Sequence, residues 1–263
     1  MKTLAPIGIF DSGVGGTSIW KEIHHLLPFE NTIYLADSKH APYGNKSRDE
    51  IISLSRKNTE ILLRKECKMI VVACNTATTN AISVLRESYD VPFIGIEPAI
   101  KPAALHTYSK SIGILATKGT LSSHLFYETS QAFTNDISIT EVIGEGLVPL
   151  IEAGILDSPE IISLLKKYIQ PMLDARVDHI VLGCSHYPCL IPQLKKLIPP
   201  HITIIDSGAA VAQQTKKLLE KHKLVNAGNR TANLQFFTNA ETDTLQLLLR
   251  DHTDRIVIEQ IEF

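Results

Sequence analysis

Two short apolar runs, Ile70-Val71-Val72-Ala73-Cys74-Asn75-Thr76 and Ile180-Val181-Leu182-Gly183-Cys184-Ser185-His186, each stop at a cysteine followed by two polar residues. Short runs rich in β-branched residues, bounded in this way, read as strands buried on both faces of a parallel sheet. Ligands of open α/β sheets sit at the carboxyl ends of the strands. Each run therefore delivers a thiol to a ligand-binding edge. A chain that does this twice is expected to turn two thiols on one site, and two opposed acid/base groups are what inversion of a stereocentre requires.

The repeat extends beyond the cysteines. Ile7-Gly8-Ile9-Phe10-Asp11-Ser12-Gly13 is matched by Ile112-Gly113-Ile114-Leu115-Ala116-Thr117-Lys118, and 67 and 72 residues separate the first isoleucine from its cysteine in the two copies. Second-strand slots fall at 32–37 and 137–142, and further apolar runs follow each cysteine at 91–97 and 202–207. Apolar runs alternating with helix-like segments imply a parallel sheet with right-handed crossovers. The expected fold is α/β, with two pseudo-symmetric flavodoxin-like or Rossmann-like domains of about 100 residues each. The first domain is expected to comprise residues 1–97 and 207–263 and to carry Cys74. The second spans 98–206 and carries Cys184. A tail with strands at 234–237 and 255–258 and a helix at 241–250 is expected to return and complete the first sheet.

Helix signals fit this layout. Residues 17–27 follow a glycine loop and stop before Pro28. Ser47, with Glu50 three positions on, has capping-box spacing for a helix to about residue 65. Thr76 or Thr78 is expected to cap the helix after Cys74. Ser158-Pro159-Glu160 opens a helix to about residue 176, Pro188 and Pro192 open the one after Cys184, and residues 209–221 form another.

Charge and cysteine usage exclude several function classes. The net charge is −2 with Lys and Arg scattered, which offers no surface to nucleic acid or anionic membrane. No apolar run approaches the roughly 18 residues of a membrane span, and the N-terminus reaches a strand and Asp11 too soon for a signal peptide. Four cysteines in 263 residues make no disulfide framework. A reducing cytoplasm is the expected location.

A strand-end cysteine is ordinarily a small buried hydrophobe, but a matched pair followed by polar groups points to catalysis. Each thiol is expected beside a helix N-terminus, where N–H groups and the dipole favour a thiolate. Cys67, late in a charged helix, and Cys189, after Pro188, read as structural. Cys184 and His186 are two apart, and no second pair has zinc-finger or ribbon spacing, so no metal is expected. The loop Asp11-Ser12-Gly13-Val14-Gly15-Gly16-Thr17-Ser18 resembles a dinucleotide fingerprint, with Asp37 ending the next strand. Ser18 replaces the final glycine, however, and Asp11 would repel a pyrophosphate. A small zwitterion suits the loop better, its N–H groups taking a carboxylate and Asp11 an ammonium. A purely structural glycine turn is the bland alternative. Ala41-Pro42-Tyr43-Gly44-Asn45 reads either as a surface turn or as a loop placing Tyr43 and Gly44 over the site. Glu152 ends the apolar run after Gly144-Glu145-Gly146, where it is either a solvated charge or part of the site.

Taken together, Phe10-Asp11-Ser12-Gly13-Val14-Gly15-Gly16, Ala41-Pro42-Tyr43-Gly44, Ala73-Cys74-Asn75-Thr76-Ala77 and Gly183-Cys184-Ser185-His186-Tyr187-Pro188 resemble the glutamate racemases of the cofactor-independent aspartate/glutamate racemase superfamily. The resemblance covers about residues 7–215 and implies parallel sheets in two pseudo-symmetric domains with the active site in the interdomain cleft. It implies two catalytic cysteines, Cys74 acting on D-glutamate and Cys184 on L-glutamate, with Asp11, Asp37, Glu152 and His186 assisting. It implies substrate binding by Asp11, Ser12, Pro42, Tyr43, Gly44, Asn75, Thr76, Thr117, Ser185 and His186. Threonine is common in the family where this chain has Ser185, which keeps the hydroxyl. No cofactor is expected; the partners implied are glutamate and a second copy of the chain in a homodimer, and the role is supply of D-glutamate for peptidoglycan. A two-cysteine enzyme acting on aspartate, a hydantoin or maleate, or a non-catalytic protein-binding regulator, are the alternatives.

Overall fold

Buried strands alternating with amphipathic helices produce the same strand order twice. In the computed structural model, which describes residues 2–133 and 136–263, the first half runs β1 (Ile7–Asp11), α1 (Thr17–Leu26), β2 (Thr32–Ala36), α2 (Arg48–Arg64), β3 (Met69–Val72), α3 (Asn75–Ser88) and β4 (Phe93–Gly95). Helix α4 (Ile100–His106) leads into β5 (Ser111–Ala116), the short α5 (Lys118–Leu121), α6 (His124–Gln131), β6 (Ser138–Ile143), α7 (Leu147–Glu152), α8 (Pro159–Asp174), β7 (His179–Gly183), α9 (Ile191–Leu197) and β8 (Thr203–Ile205). The chain closes with α10 (Gly208–Lys221), β9 (Leu234–Thr238), α11 (Asp243–Leu249) and β10 (Ile256–Gln260).

Every strand pairing is parallel. One sheet has the order β10-β9-β2-β1-β3-β4 and the other β6-β5-β7-β8. Because β5 to β8 repeat β1 to β4, both halves share the order 2-1-3-4, with β9 and β10 from the tail on the outer side of β2. In such sheets the crevice for ligands opens where the strand order reverses, here between β1 and β3 and between β5 and β7. Asp11 and Cys74 stand at the first reversal, Thr117 and Cys184 at the second.

Burial explains which strands take the centre. Every residue of β1, β3, β5 and β7 is buried, so their apolar runs are continuous rather than alternating. Edge strands β6, β8 and β10 are only partly covered. Helix α1 turns Ile19, Trp20 and Ile23 inward, and the indole N–H of Trp20 donates to Thr32 Oγ1 at 3.0 Å, fixing the helix on β2. The largest apolar cluster is continuous between the halves, joining Val14, Trp20 and Tyr34 to Leu147, Ile151 and Tyr187. Among the described residues no helix is long and apolar enough to cross a membrane.

Local signals hold in some places and fail in others. Ser47 and Glu50 form the expected reciprocal box, Glu50 N donating to Ser47 Oγ at 3.3 Å and Ser47 N to Glu50 Oε2 at 2.9 Å. Ser47→Ala is expected to destabilise the protein by about 1 kcal/mol, read as a lower urea midpoint. Two helix starts differ from expectation. The cap of α3 is Cys74 itself, whose Sγ accepts from Ala77 N at 3.4 Å, because the helix begins directly at Asn75. After Cys184 the chain makes a 3₁₀ turn over Tyr187–Leu190 before α9, so the second thiol does not face an α-helix N-terminus. Proline fits the first turn of a helix, and Pro188 and Pro192 open these two short helices in succession. Cys67 lies beyond the end of α2, buried, with its Sγ 3.0 Å from where a Cβ on Gly8 would stand.

Candidate active site

The carboxyl ends of β3 and β7 face one another, and a small cavity lies between them. Cys74, Asn75 and Thr76 line it from the first half; Thr117, Val148, Cys184, Ser185 and His186 line it from the second. Ser12, Pro42, Tyr43 and Gly44 complete the wall. Its free volume is about 10 Å³, room for one water molecule.

The two thiols have different neighbours. Cys74 Sγ donates to Ser12 Oγ at 3.5 Å and accepts from Ala77 N. Burial, reinforced by the nearby charge of Asp11, pushes this thiol up to about 12. The helix start was expected to lower it; desolvation outweighs the N–H groups because the charged form loses its water. At pH 8 the thiolate fraction is about 10⁻⁴, so Cys74 in the native protein is expected to alkylate with iodoacetamide at least about tenfold more slowly than in urea, as followed by peptide mass spectrometry. Cys184 Sγ stands 3.8 Å from His186 Nδ1.

Behind Cys184 lies a fully hydrogen-bonded pair. His186 Nε2 is 2.5 Å from Glu152 Oε1. Glu152 also accepts from Val14 N at 2.7 Å and from Ser38 Oγ at 2.7 Å. Burial alone would raise the Glu152 pKa, but these donors and the adjacent imidazole lower it below the usual value. Burial likewise opposes charge on His186, yet its bonds to Cys184 and Glu152 and the charges of Asp11 and Glu152 hold it well above the ordinary histidine range. At neutral pH the pair is imidazolium and carboxylate.

Asp11 and Asp37 lie outside the cavity wall. Asp11 Oδ2 accepts from Gly13 N at 3.2 Å and Gly16 N at 3.0 Å, and Oδ1 accepts from Ser185 Oγ at 3.0 Å. Its pKa is raised by burial, with His186 and the N–H of Gly16 opposing. The loop was expected to offer its N–H groups to a ligand carboxylate and Asp11 to an ammonium. Instead the N–H groups of Gly13, Val14 and Gly16 are taken by Asp11 and Glu152, since buried donors must be paired. Asp37 receives the Tyr43 hydroxyl, the Asn239 amide at 2.6 Å, His40 Nδ1 at 2.5 Å and, at 3.5 Å, Asn58 Nδ2. It sits behind Tyr43, whose phenol burial and the Asp37 charge keep neutral.

Further detail surrounds residues expected at the site. Both polar ends of the Asn75 amide are buried with no partner among the described residues, although the residue lines the cavity. Thr76, Thr117 and Thr120 form a hydroxyl triangle across the mouth, with separations of 2.7, 3.2 and 3.0 Å. Val148, Ser38, Asn58 and Asn239 carry no motif; each is placed by contacts with residues remote in sequence. Among the described residues no group of three or more His, Cys, Asp or Glu side chains could hold a metal ion.

The chain as a whole resembles known proteins. A family model described as Asp/Glu/Hydantoin racemase matches residues 7–215. The glutamate racemase of Pseudomonas syringae pv. tomato is 47% identical over 225 residues, 85% of this chain and 82% of that one. That of Pseudomonas putida F1 is 45% identical over 246 residues, covering 93% and 92%. Among solved structures, Escherichia coli glutamate racemase in complex with L-glutamate and the activator UDP-MurNAc-ala superposes with a TM-score of 0.84 at 35% identity, over 98% of each chain. The Francisella tularensis enzyme in complex with D-glutamate gives 0.84 at 25%, over 99% of this chain and 98% of that one.

Proposed function

The chain belongs to the Asp/Glu/hydantoin racemase family, and on that premise we propose that it interconverts L- and D-glutamate by two-base proton transfer between Cys74 and Cys184, without a cofactor. The observation that carries this reading is the pair of thiols lining one cavity from the strand-order reversals of two equivalent sheets. Relatives at 42–47% identity bear the name glutamate racemase, and solved relatives hold L- or D-glutamate.

The two sulfurs have different neighbours. Cys184, beside His186 Nδ1, is the base for L-glutamate, and Cys74, a neutral thiol, is the acid facing it. Cys184 takes the α-proton and Cys74 delivers its own to the opposite face, yielding D-glutamate. The sulfur left charged at Cys74 is met by the Ser12 hydroxyl and Ala77 N–H. The reverse reaction begins there. Negative charge developing on the substrate carboxylate is met by the amide of Asn75 and the hydroxyl of Thr76, in a site closed to water. Asp37 holds Tyr43 in the wall rather than exchanging protons. Supply of D-glutamate for peptidoglycan by a cytoplasmic homodimer belongs to the same reading.

The test is circular dichroism of L-glutamate in deuterated buffer with no added cofactor, followed by mass analysis of the α-position. Loss of rotation with deuterium uptake is expected. No rotation change and no exchange would overturn the glutamate assignment, and the same assay on aspartate and hydantoins would then locate the substrate.

A further inference from the structure

We infer that Ser38 is a positioning residue for the Glu152–His186 pair, and that it engages only when the cleft between the two halves is closed. The inference rests on the function proposed above. Ser38 follows β2 of the first sheet, whereas Glu152 is the last residue of α7 in the second half, and the Ser38 Oγ to Glu152 Oε2 bond of 2.7 Å crosses the cleft. The other oxygen, Oε1, takes both Val14 N at 2.7 Å and His186 Nε2 at 2.5 Å. The terminal torsion of a glutamate is broad and roughly two-fold, so donors on Oε1 alone leave the carboxylate plane poorly fixed. A hydroxyl on Oε2 supplies the second anchor.

Two of the three donors on Glu152, Ser38 Oγ and Val14 N, come from the first half. The cavity volume is about 10 Å³. Glutamate has about ten non-hydrogen atoms against that one-water space, so the halves must part to admit it. Parting them removes the two donors and leaves Glu152 with His186 alone. The proton-handling partner of Cys184 is therefore complete only in the closed, water-excluding state. The ionisable groups around Glu152 are His186 and Asp11, with Tyr34 and Cys184 farther in. Losing the Ser38 donor favours the protonated carboxyl, and activity requiring the carboxylate is then lost at higher pH than in the wild type.

The experiment compares wild type, Ser38→Ala, Ser38→Thr, Glu152→Gln and the Ser38→Ala/Glu152→Gln double variant in glutamate racemisation across pH. Ser38→Ala is expected to lower kcat/KM about tenfold, the worth of one hydrogen bond to a charged group. Its acid limb should move upward by about half a pH unit or more. Ser38→Thr should restore both. In the Glu152→Gln background Ser38→Ala should have no further effect, as coupling through a shared partner demands. Ser38→Ala within twofold of wild type with an unmoved limb would overturn the inference, as would full additivity in the double variant. If Ser38→Ala does not fold, Ser38→Thr decides: a normal limb supports the hydroxyl anchor and a displaced one overturns it. Wild type inactive on glutamate would overturn the underlying function; active wild type with an unaffected Ser38→Ala overturns this inference alone.

Discussion

Cys74→Ser or Cys184→Ser lowers kcat/KM for glutamate racemisation by about 10³- to 10⁴-fold, the upper range for removing a general acid or base. Serine keeps the size and hydrogen-bonding pattern of each site but has a far less acidic proton. The two substrates are mirror images with equal free energy, so kcat/KM must fall by the same factor in both directions, and a directional comparison of that quantity cannot distinguish the cysteines. Isotope exchange can. In Cys74→Ser the remaining thiol faces the L-enantiomer and returns solvent deuterium to the face it took a proton from, so L-glutamate gains α-deuterium without rotation. Cys184→Ser does the same to D-glutamate. Time-resolved mass spectrometry of each pure enantiomer reads this out. Racemisation within tenfold of wild type in either variant would show that one thiol is dispensable and end the two-base scheme.

That prediction uses the part of the molecule most legible in sequence. Ile70 to Cys74 and Ile180 to Cys184 are readable because a doubly buried strand needs an unbroken apolar run, and such a run ends where the chain leaves the sheet. Spacing of the other runs marked the remaining strands and a tail that completes the first sheet, but not the strand order, in which β9 lies beside β2 and β10 beside β9. What stayed hidden depends on contacts between distant positions. The bond from Val14 N to Glu152 spans 138 residues and that from Ser38 spans 114, so no local pattern announces that the glycine-loop amides are already occupied. The same blindness affected charge. A helix start beside Cys74 suggests a lowered thiol pKa, but complete burial next to Asp11 raises it, and burial is a property of the assembled fold. Asp37 has the strand-end position of an active-site acid, and the four donors on it, one from Asn239 in the tail, were invisible in sequence.

The glycine loop gives the second large effect. Gly15→Ala is expected to lower kcat/KM by about 10²-fold, the effect of misplacing a catalytic group by about 1 Å. A Cβ on Gly15 would lie 2.3 Å from His186 Nδ1, 2.5 Å from its Cγ and 2.6 Å from its backbone N. Swinging the whole side chain about Cα–Cβ relieves the first two contacts but not the third, so the turn carrying Cys184, Ser185 and His186 must retreat. That turn is held from the first half by Ser18 Oγ on Ser185 O at 3.0 Å and by Ser185 Oγ on Asp11 at 3.0 Å, and it resists. Gly15 does not occupy the left-handed region; alanine meets no backbone strain there, and the penalty is steric, about 1–3 kcal/mol of overpacking. Gly13→Ala provides the contrast. The three atoms nearest its Cβ all belong to the Glu152 carboxyl group, Oε1 at 1.9 Å, the far end of a side chain that must swing aside. Displacing that carboxylate breaks the buried Glu152–His186 pair, so Gly13→Ala also loses stability, by about 3–5 kcal/mol. Loss of activity in both variants, read by kinetics on protein that thermal melts show to be folded, places the requirement on the pair itself. Near-wild-type activity in Gly15→Ala would mean that His186 need not stand where it does for Cys184 to work.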